Sequence, residues 1–505
     1  MITFSISLVL LVLGYFIYGK FVEKVFGPDD RPTPAITKAD GVDFIILPNW
    51  RIFMIQFLNI AGTGPIFGAI MGAKFGPVAY IWIVLGCIFA GAVHDYLSGM
   101  LSLRHDGANL PNMIGTYLGN ATKQVMLIFS ILLLLMVGAV FVYSPAEILT
   151  GIWEPEAISN WLGKNTFWIV IIFIYYIIAT MLPIDKIIGK IYPLFAFSLI
   201  FMAVALMVML YIKMPNLPEI WDGIDNMGAE KLGLADPIFP CLFITIACGA
   251  ISGFHATQSP LMARCIKNEH HARPIFYGAM ITEGLVALIW ATVSMYFFYN
   301  DPTPGYETLA VATGANTSAP SVVNIICNDW LGVVGGILAL LGVVAAPITS
   351  GDTALRSARL IIADFLKLKQ HSIRNRLYIC VPMFACTIAL LIWQMNNPNG
   401  FSMIWNWFGW SNQTLSVFTL WMLTVYLART NKPYIITLIP ALFMTTTCAT
   451  FLFTSKQTLN MGYGPTAIIA GASIVVSLCW FFWGIPKRKR RYNKTKHYYK
   501  KRKKS

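Results

Sequence analysis

Long apolar stretches follow one another along almost the whole chain, and they constrain its fold more than any other feature. A helix needs about 20 mostly apolar residues to cross a membrane, and the 505-residue chain holds about 13 such stretches. Only 12% of its residues are charged, against roughly a quarter in soluble proteins. The sequence therefore predicts an all-α membrane protein and excludes an ordinary soluble globule.

The predicted spans are apolar runs separated by polar segments. They cover residues 2–19, 51–72, 77–103, 123–147, 167–182, 189–212, 238–258, 274–299, 326–349, 376–395, 404–428, 434–453 and 463–485. We expect residues 1–486 to form a single transmembrane domain, followed by a basic tail at 487–505. The first span is predicted to be a retained helix, since it lacks a basic start and a small-residue cleavage site.

The formal net charge of +14 is concentrated at one end of the chain, where 12 of the 37 Lys and Arg follow Pro486. Basic residues next to a span mark the cytoplasmic side and contact anionic lipid head groups. With the tail inside and 13 spans, the N-terminus faces out. Because the basic residues are explained by this tail, nucleic acid is not an expected partner. The outward segments then contain only five basic residues, Lys74, Lys164, Lys213, Lys231 and Lys456.

The chain shows none of the short motifs that are typical of membrane enzymes. HExxH, GxSxG and Walker-type patterns are absent from the sequence. Its nine cysteines show neither CxxC nor zinc-ligand spacing. We therefore expect a non-enzyme without an organic cofactor.

Two predicted spans are interrupted by Gly, Pro and polar residues, at 59–65 (NIAGTGP) and at 248–260 (CGAISGFHATQSP). Unwound backbone at membrane depth occurs only where it is buried in protein or lines a cavity. Such breaks, when they recur in two halves of a chain, are typical of a transporter's binding site. The predicted substrate-binding residues are Gly62, Thr63, Gly64, Ser252, Gly253, His255, Thr257 and Gln258.

The interrupted spans are five spans apart, so the second half enters the membrane from the opposite side. This indicates an inverted repeat of five plus five helices, with repeat one at about 51–212 and repeat two at about 238–428. The arrangement resembles the LeuT-like core of the amino acid-polyamine-cation superfamily. The alternative is that Gly and Pro serve only kinks and close helix packing.

Ionisable residues inside predicted spans are costly and are assigned to coupling or gating. His94 and Asp95 form either a proton relay or a structural pairing with Arg104 or with a backbone group. His255, within the second break, donates to a carboxylate substrate or carries a coupling proton. Glu283 is either a buried protonated carboxyl or the partner of a basic group, and its role stays open.

The end of the ninth span matches a short sodium-site pattern. Sodium-coupled members of the resembled superfamily place an alanine carbonyl and two hydroxyls there, and Ala346, Thr349 and Ser350 fit that spacing. Carbonyls at the break after Asn59 would complete the site. The alternative is that these small residues simply pack helices.

Three other polar residues are assigned to coupling or gating. Asp352 is predicted to be a ligand, a helix cap or a gate residue paired with Arg356. Asn412 and Gln413 lie in a tryptophan-rich run of the eleventh span, where they face substrate or gate the path. Tryptophans of this kind also mark the membrane interface.

Four blocks of sequence carry a family resemblance. Residues 59–69 (NIAGTGPIFGA), 86–96 (GCIFAGAVHDY), 249–260 (GAISGFHATQSP) and 346–354 (APITSGDTA) resemble the bacterial carbon starvation protein A (CstA) family. The resemblance runs from about Gly41 through the eleventh span, although better-known members are considerably longer. It implies a transporter of the bacterial inner membrane that takes up peptides or pyruvate when carbon is scarce, with proton coupling expected for pyruvate.

The sequence thus predicts a cation-coupled secondary transporter for peptides or a small carboxylate such as pyruvate. Its expected partners are that small molecule and membrane lipid, and its oligomeric state is open. The alternative is a membrane-embedded nutrient sensor without net transport. A channel is disfavoured, because paired breaks in two repeats suit alternating access.

Overall fold

The computed structural model describes residues 1–41, 43–152, 165–181, 188–232, 236–299, 318–368, 373–397, 400–455 and 458–502. Within these ranges the regular structure is helical throughout, with no strand. The prediction of an all-α protein is therefore confirmed.

The main helices are numbered α1 to α16 in chain order. They are α1 Ile2–Phe26, α2 Asn49–Ile60, α3 Gly64–Ala73, α4 Val78–Arg104, α5 Leu110–Leu118, α6 Asn120–Ile152, α7 Thr166–Met181, α8 Ile188–Lys213, α9 238–245, α10 His255–Ala263, α11 Glu269–Tyr299, α12 Ala319–Leu366, α13 Ile373–Asn396, α14 Gly400–Arg429, α15 Ile435–Thr454 and α16 Tyr463–Arg502. Shorter helical turns occur at Pro34–Thr37, Ile220–Asp222 and Met227–Lys231.

Eight of the described helices are long and apolar enough to cross a membrane, and the bent pair α2 and α3 makes nine if it is counted as one span. This confirms a multi-pass membrane protein. Described helices also overlap all of the predicted spans, but the number of crossings stays a prediction.

The helix that contains the ninth predicted span is longer than the span itself, because α12 continues to Leu366. The continuation is less apolar, but it still buries Leu355, Ala358 and Ile361. The added turns contact neighbouring segments, because Asp352 accepts from Tyr192 of α8 and Asp364 accepts from Asn109; tertiary contacts of this kind stabilise a helix.

The helices form a central bundle with an apolar outer surface. α6 and α12 pack along each other with α7, α8 and α13 beside them, whereas α2, α3 and α10 pack against α4, α11 and α12. Large apolar side chains on the outer helices are exposed, as expected where a helix faces lipid. They include Ile17, Leu194, Ile212, Val381, Ile468 and Trp483.

A tyrosine links the kinked regions of the two central helices. Pro145 inside α6 cannot donate to the carbonyl of Phe141, four residues earlier. Tyr176 of α7 donates its hydroxyl to that carbonyl at 2.8 Å and also lies 3.1 Å from the carbonyl of Pro347 in α12. The backbone group that proline leaves unpaired is thereby satisfied inside the protein.

Candidate functional site

The two interrupted helices touch each other at their breaks. α2 and α3 meet at an angle of 52°, and the second break separates α9 from α10. A Cβ atom placed on Gly64 would lie 2.3 Å from Cβ of Cys248, and one placed on Gly68 would lie 2.9 Å from the carbonyl oxygen of Thr245. Backbone approach this close requires glycine. The structure thus brings together two segments that are almost 200 residues apart in the sequence.

The first break contains polar atoms that have no hydrogen-bond partner in the part of the chain that the structure describes. Gly62 and Thr63 are buried, and a Cβ on Gly62 would lie 2.8 Å from the Phe141 ring and 3.1 Å from the Ser350 hydroxyl. Among the described residues, the Thr63 hydroxyl and both amide atoms of Asn59 have no hydrogen-bond partner. Buried polar groups are nearly always paired with protein or water. These atoms are therefore the best-placed groups to receive a ligand.

The second break is held by Asn412 of α14. The Ser252 hydroxyl and the Phe254 amide donate to Asn412 Oδ1 at 3.0 and 2.7 Å, and the Gly253 amide donates to the Asn412 carbonyl at 3.2 Å. A Cβ on Gly253 would lie only 2.3 Å from the backbone nitrogen of Ser416. The predicted substrate residues Ser252 and Gly253 are thus occupied by contacts to α14.

Two further side chains donate hydrogen bonds to backbone carbonyls just before the second break. Gln413 donates Nε2 to the carbonyl of Phe243 at 3.0 Å, and Trp82 donates Nε1 to that of Ile246 at 2.9 Å. An unpaired backbone group at membrane depth costs several kcal/mol. Asn412 and Gln413, predicted to couple or gate, therefore hold the broken backbone in place.

Thr257 and Gln258 make local contacts at the beginning of α10. The Thr257 hydroxyl donates to the carbonyl of Phe254 at 2.7 Å, and Gln258 Nε2 donates to that hydroxyl at 2.8 Å. Gln258 Oε1 has no partner among the described residues. Of this predicted pair, Gln258 is the residue with capacity left for a ligand.

Four predicted ionisable residues form one buried cluster. The two oxygens of Asp95 lie 2.8 Å from Nδ1 of His94 and 2.8 Å from Nδ1 of His255, and Nε2 of His255 lies 3.4 Å from a Glu283 oxygen. All four side chains have zero exposure. The Cys248 thiol lies within 4.8 Å of the ligand atoms of His255 and Glu283. The cluster thus connects α4, α11 and the second break.

The predicted structural pair between Asp95 and Arg104 is wrong. Residues nine apart in a helix lie about 13 to 14 Å apart along its axis and on opposite faces. Arg104 instead binds Glu269 at the start of α11, with its Nη2 at 2.9 Å. Asp95 forms its side-chain hydrogen bonds with His94 and His255 instead.

The predicted sodium ligands are only partly assembled. Ser350 donates its hydroxyl to the Leu58 carbonyl at 2.9 Å, which brings α12 to the first break. Thr349 donates instead within its own helix, to the carbonyls of Ala345 and Ala346 at 3.0 and 2.9 Å. A sodium ion at Ala346, Thr349 and Ser350 therefore stays a prediction.

Asp352 lies away from the breaks. Its Oδ2 accepts a hydrogen bond of 2.6 Å from Tyr192 of α8, whose hydroxyl also lies 3.1 Å from the Thr349 carbonyl. Arg356 donates Nη2 to the carbonyl of Ala179 in α7 at 2.6 Å. These contacts connect α12 to α7 and α8, and a gating role for Asp352 stays a prediction.

Several residues at the site were not singled out from the sequence. Asn59 served only to mark where a break begins, and Cys248, Phe141 and Trp82 were not considered site residues. A usable signal was present in α2, since Gln56 and Asn59 are three residues apart and put two amides on one face of an apolar helix. Both side chains are buried without hydrogen-bond partners among the described residues.

Comparisons with known proteins agree with this architecture. The family model described as "Carbon starvation protein CstA" matches residues 1–152, 145–330 and 303–451. An uncharacterized membrane protein of Haemophilus influenzae is 46% identical over 341 residues, which cover 59% of this chain and 92% of that protein. The peptide transporter CstA of Bacillus subtilis is 26% identical, covering 94% of this chain and 93% of its own. The pyruvate/proton symporter BtsT of Escherichia coli is 29% identical over 60% of this chain and 50% of its own.

Solved structures show the same fold at low sequence identity. MhsT in complex with L-phenylalanine has a TM-score of 0.54 and 12% identity over 86% of this chain and 98% of its own. A manganese transporter of Eremococcus coleocola has a TM-score of 0.53 and 11% identity over 90% of this chain and 99% of its own. The predicted LeuT-like fold class is confirmed, and the chain belongs to the carbon starvation protein CstA family.

Proposed function

We propose that the protein is a cation-coupled secondary transporter that takes up a small carboxylate such as pyruvate, or a short peptide, when carbon is scarce. The observation that carries this proposal is the contact between two broken helices. Buried polar atoms at the first break have no hydrogen-bond partner among the described residues. Relatives named as a peptide transporter and as a pyruvate/proton symporter support both substrate classes. The transporter fold of the structural neighbours is compatible with either a peptide or a small carboxylate as substrate.

The first break offers groups that suit a carboxylate. α3 begins at Gly64, so its positive end points into the break, where an anion is favoured. The Thr63 hydroxyl and the Asn59 amide add side-chain donors that have no other partner among the described residues. A carboxylate placed there would be held by neutral donors and a helix dipole.

Two sites are candidates for the coupling cation. Ser350 brings a hydroxyl to the Leu58 carbonyl at the first break, and hard oxygen donors of this kind suit an alkali cation. The buried cluster around His255 is the candidate for a proton. Both lie next to a break, where cation occupancy can influence the binding segment.

The proposal is tested by uptake of labelled pyruvate and of a labelled dipeptide into proteoliposomes, with a proton gradient and a sodium gradient imposed separately. We expect one substrate to accumulate above its external concentration under one of the gradients. Proteoliposomes that bind substrate but never accumulate it would contradict transport and favour the sensor.

A variant at the first break makes the same test specific. Asn59→Leu removes both unpartnered amide atoms and should raise the substrate concentration needed for half-maximal uptake by about tenfold or more, as expected when a hydrogen bond to a charged group is lost. Asn397→Ala is the control, because this half-buried asparagine donates its side-chain amide to the carbonyl of Trp393, four residues earlier in α13. Equal behaviour of the two variants would contradict a substrate at Asn59.

A further inference from the structure

The buried cluster joins α4, α10 and α11 through a continuous chain of titratable groups. His94 and Asp95 come from α4, His255 is the first residue of α10, and Glu283 lies in α11. Asp95 bonds both histidines at 2.8 Å, and the His255 Nε2 to Glu283 distance is 3.4 Å. This chain lies beside the second break and contacts none of the predicted sodium ligands in the described part of the protein.

The bonding pattern gives the members different roles. Both oxygens of Asp95 face an Nδ1 atom, so Asp95 accepts from both rings and is best satisfied as a carboxylate. This fixes the Nδ1–H of His255 toward Asp95 and leaves its Nε2 for Glu283. Nε2 of His255 and both Glu283 oxygens have no other hydrogen-bond partner among the described residues. A proton between His255 Nε2 and one Glu283 oxygen would pair these two atoms, and the second Glu283 oxygen can carry a further proton.

The net charge of the cluster also depends on whether Glu283 is protonated. With Asp95 and Glu283 both ionised and His255 protonated, the buried site carries one net negative charge, and an unpaired buried charge costs several kcal/mol. One more proton, on the second oxygen of Glu283, makes the site neutral. The other titratable groups facing it are His94 behind Asp95, the Cys248 thiol at the break and the Cys87 thiol, which donates to the carbonyl of Met280 at 3.4 Å.

We infer that His255 and Glu283 together hold the coupling proton, with Asp95 as a fixed anion that positions His255. This inference rests on the proposed transport function and names its coupling ion and the residues that bind it. Asp95 is a positioning residue here, while the exchangeable proton resides between His255 and Glu283.

Packing connects this proton site to the backbone that must move. A Cβ on Gly249, in the second break, would lie 2.4 Å from Cβ of Ala287, one turn after Glu283 on α11. The other end of the break leads into His255 itself, through Phe254, whose amide Asn412 holds. The proton site therefore touches both ends of the second break. Gain or loss of its charge acts on the conformation of that segment.

The experiment separates coupling from transport itself. Proteoliposomes are loaded with unlabelled substrate to measure exchange without a gradient, and separately given a proton gradient to measure accumulation. A gradient of about one pH unit supports about tenfold accumulation in a one-proton electroneutral symport. The wild type should approach this ratio, whereas Glu283→Gln should exchange substrate at a similar rate but accumulate none.

Two further variants keep the result interpretable. Glu147→Gln is the control, because this half-buried carboxyl in α6 accepts from Ser318, outside the cluster. It should retain both exchange and accumulation. Glu283→Asp restores a titratable carboxyl and should recover accumulation, including the case where Glu283→Gln loses exchange as well.

The possible outcomes separate the two proposals. Accumulation by Glu283→Gln equal to wild type, or failure of Glu283→Asp to recover any accumulation, would overturn the proton site. Wild-type accumulation under a sodium gradient alone would also overturn it and leave transport standing. A wild type that neither exchanges nor accumulates either substrate would overturn the proposed function instead.

Discussion

The two breaks look alike in the sequence but differ in how the protein holds them. At the second break, Asn412 accepts from the Ser252 hydroxyl and the Phe254 amide, and Trp82 donates to the Ile246 carbonyl. At the first break, the Thr63 hydroxyl and the Asn59 amide have no hydrogen-bond partner among the described residues. The second break is hydrogen-bonded to neighbouring helices in this conformation, whereas the Thr63 and Asn59 side chains of the first break are available to a ligand.

From this difference we expect the two breaks to have different roles, with the second supporting the structure and the first binding substrate. Hydrogen bonds tie the second break to α14 and, through His255, to α4, so these elements are expected to move together. The first break is confined mainly by close contacts, such as that between Gly62 and the Phe141 ring. Variants at the second break should therefore lower stability, and variants at the first should lower substrate affinity.

The largest effect is expected where the two breaks touch. In Gly64→Ala the new methyl group would lie 2.3 Å from Cβ of Cys248, and overpacking of a tight contact costs about 1–3 kcal/mol or more. We expect loss of uptake and of a monodisperse peak in size-exclusion chromatography. Cys248→Gly removes the Cβ that the new methyl group would contact. The double variant Gly64→Ala/Cys248→Gly should therefore show the same uptake and the same monodisperse peak as Cys248→Gly alone. Gly471→Ala, at a site with open space, is the control, and a Gly64→Ala protein that behaves like it would show that the contact is loose.

The next largest effect is expected from Asn412→Ala. The substitution leaves the Ser252 hydroxyl and the Phe254 amide without their acceptor, and a stranded buried donor costs about 1–3 kcal/mol. The melting temperature in detergent should fall by several degrees, and uptake should fall with it. Asn397→Ala, at a half-buried asparagine, should change neither. A normal melting temperature for Asn412→Ala would remove the distinction between the breaks.

The sequence located the breaks but did not reveal how each one is held. Gly and Pro within an apolar run are a local signal, so 59–65 and 248–260 could be identified without any structure. The partner of the second break is Asn412, about 160 residues away from Ser252. Which amide reaches which break depends on how α14 packs, and spacing along the chain carries no information about that.

The buried cluster shows a similar limit. His94, Asp95, His255 and Glu283 were each found because a charge inside an apolar run is costly, yet their mutual contacts cross three helices. Arg104 is near Asp95 in the sequence, but helical geometry puts it on the opposite face. Local chemistry was predictable, whereas pairing required the packed structure.

A smaller effect is expected from Trp82→Phe. The variant keeps the aromatic packing but removes the donor to the Ile246 carbonyl, at a cost of about 1 kcal/mol. Trp410→Phe is a matched control, because Trp410 makes an equivalent 3.0 Å bond to the carbonyl of Cys448 away from the breaks. Both variants should melt slightly earlier, and only Trp82→Phe should slow uptake. Equal uptake in the two would mean that this carbonyl does not need to be fixed.

The smallest effect on stability, and the most informative for the comparison, is expected from Thr63→Val. The two side chains have nearly the same shape, and the buried hydroxyl has no partner among the described residues, so replacing it with a methyl group should not lower the free energy of unfolding. If the hydroxyl donates to a substrate carboxylate, its loss costs about 1.5–3 kcal/mol of binding, which appears as a KM raised by about tenfold or more.

Ser252→Ala should show the opposite pattern, with earlier melting and a KM near that of the wild type. Initial uptake rates over a range of substrate concentrations, with melting curves on the same preparations, measure both quantities. A Thr63→Val protein with an unchanged KM would mean that the available polar atoms of the first break serve water rather than substrate.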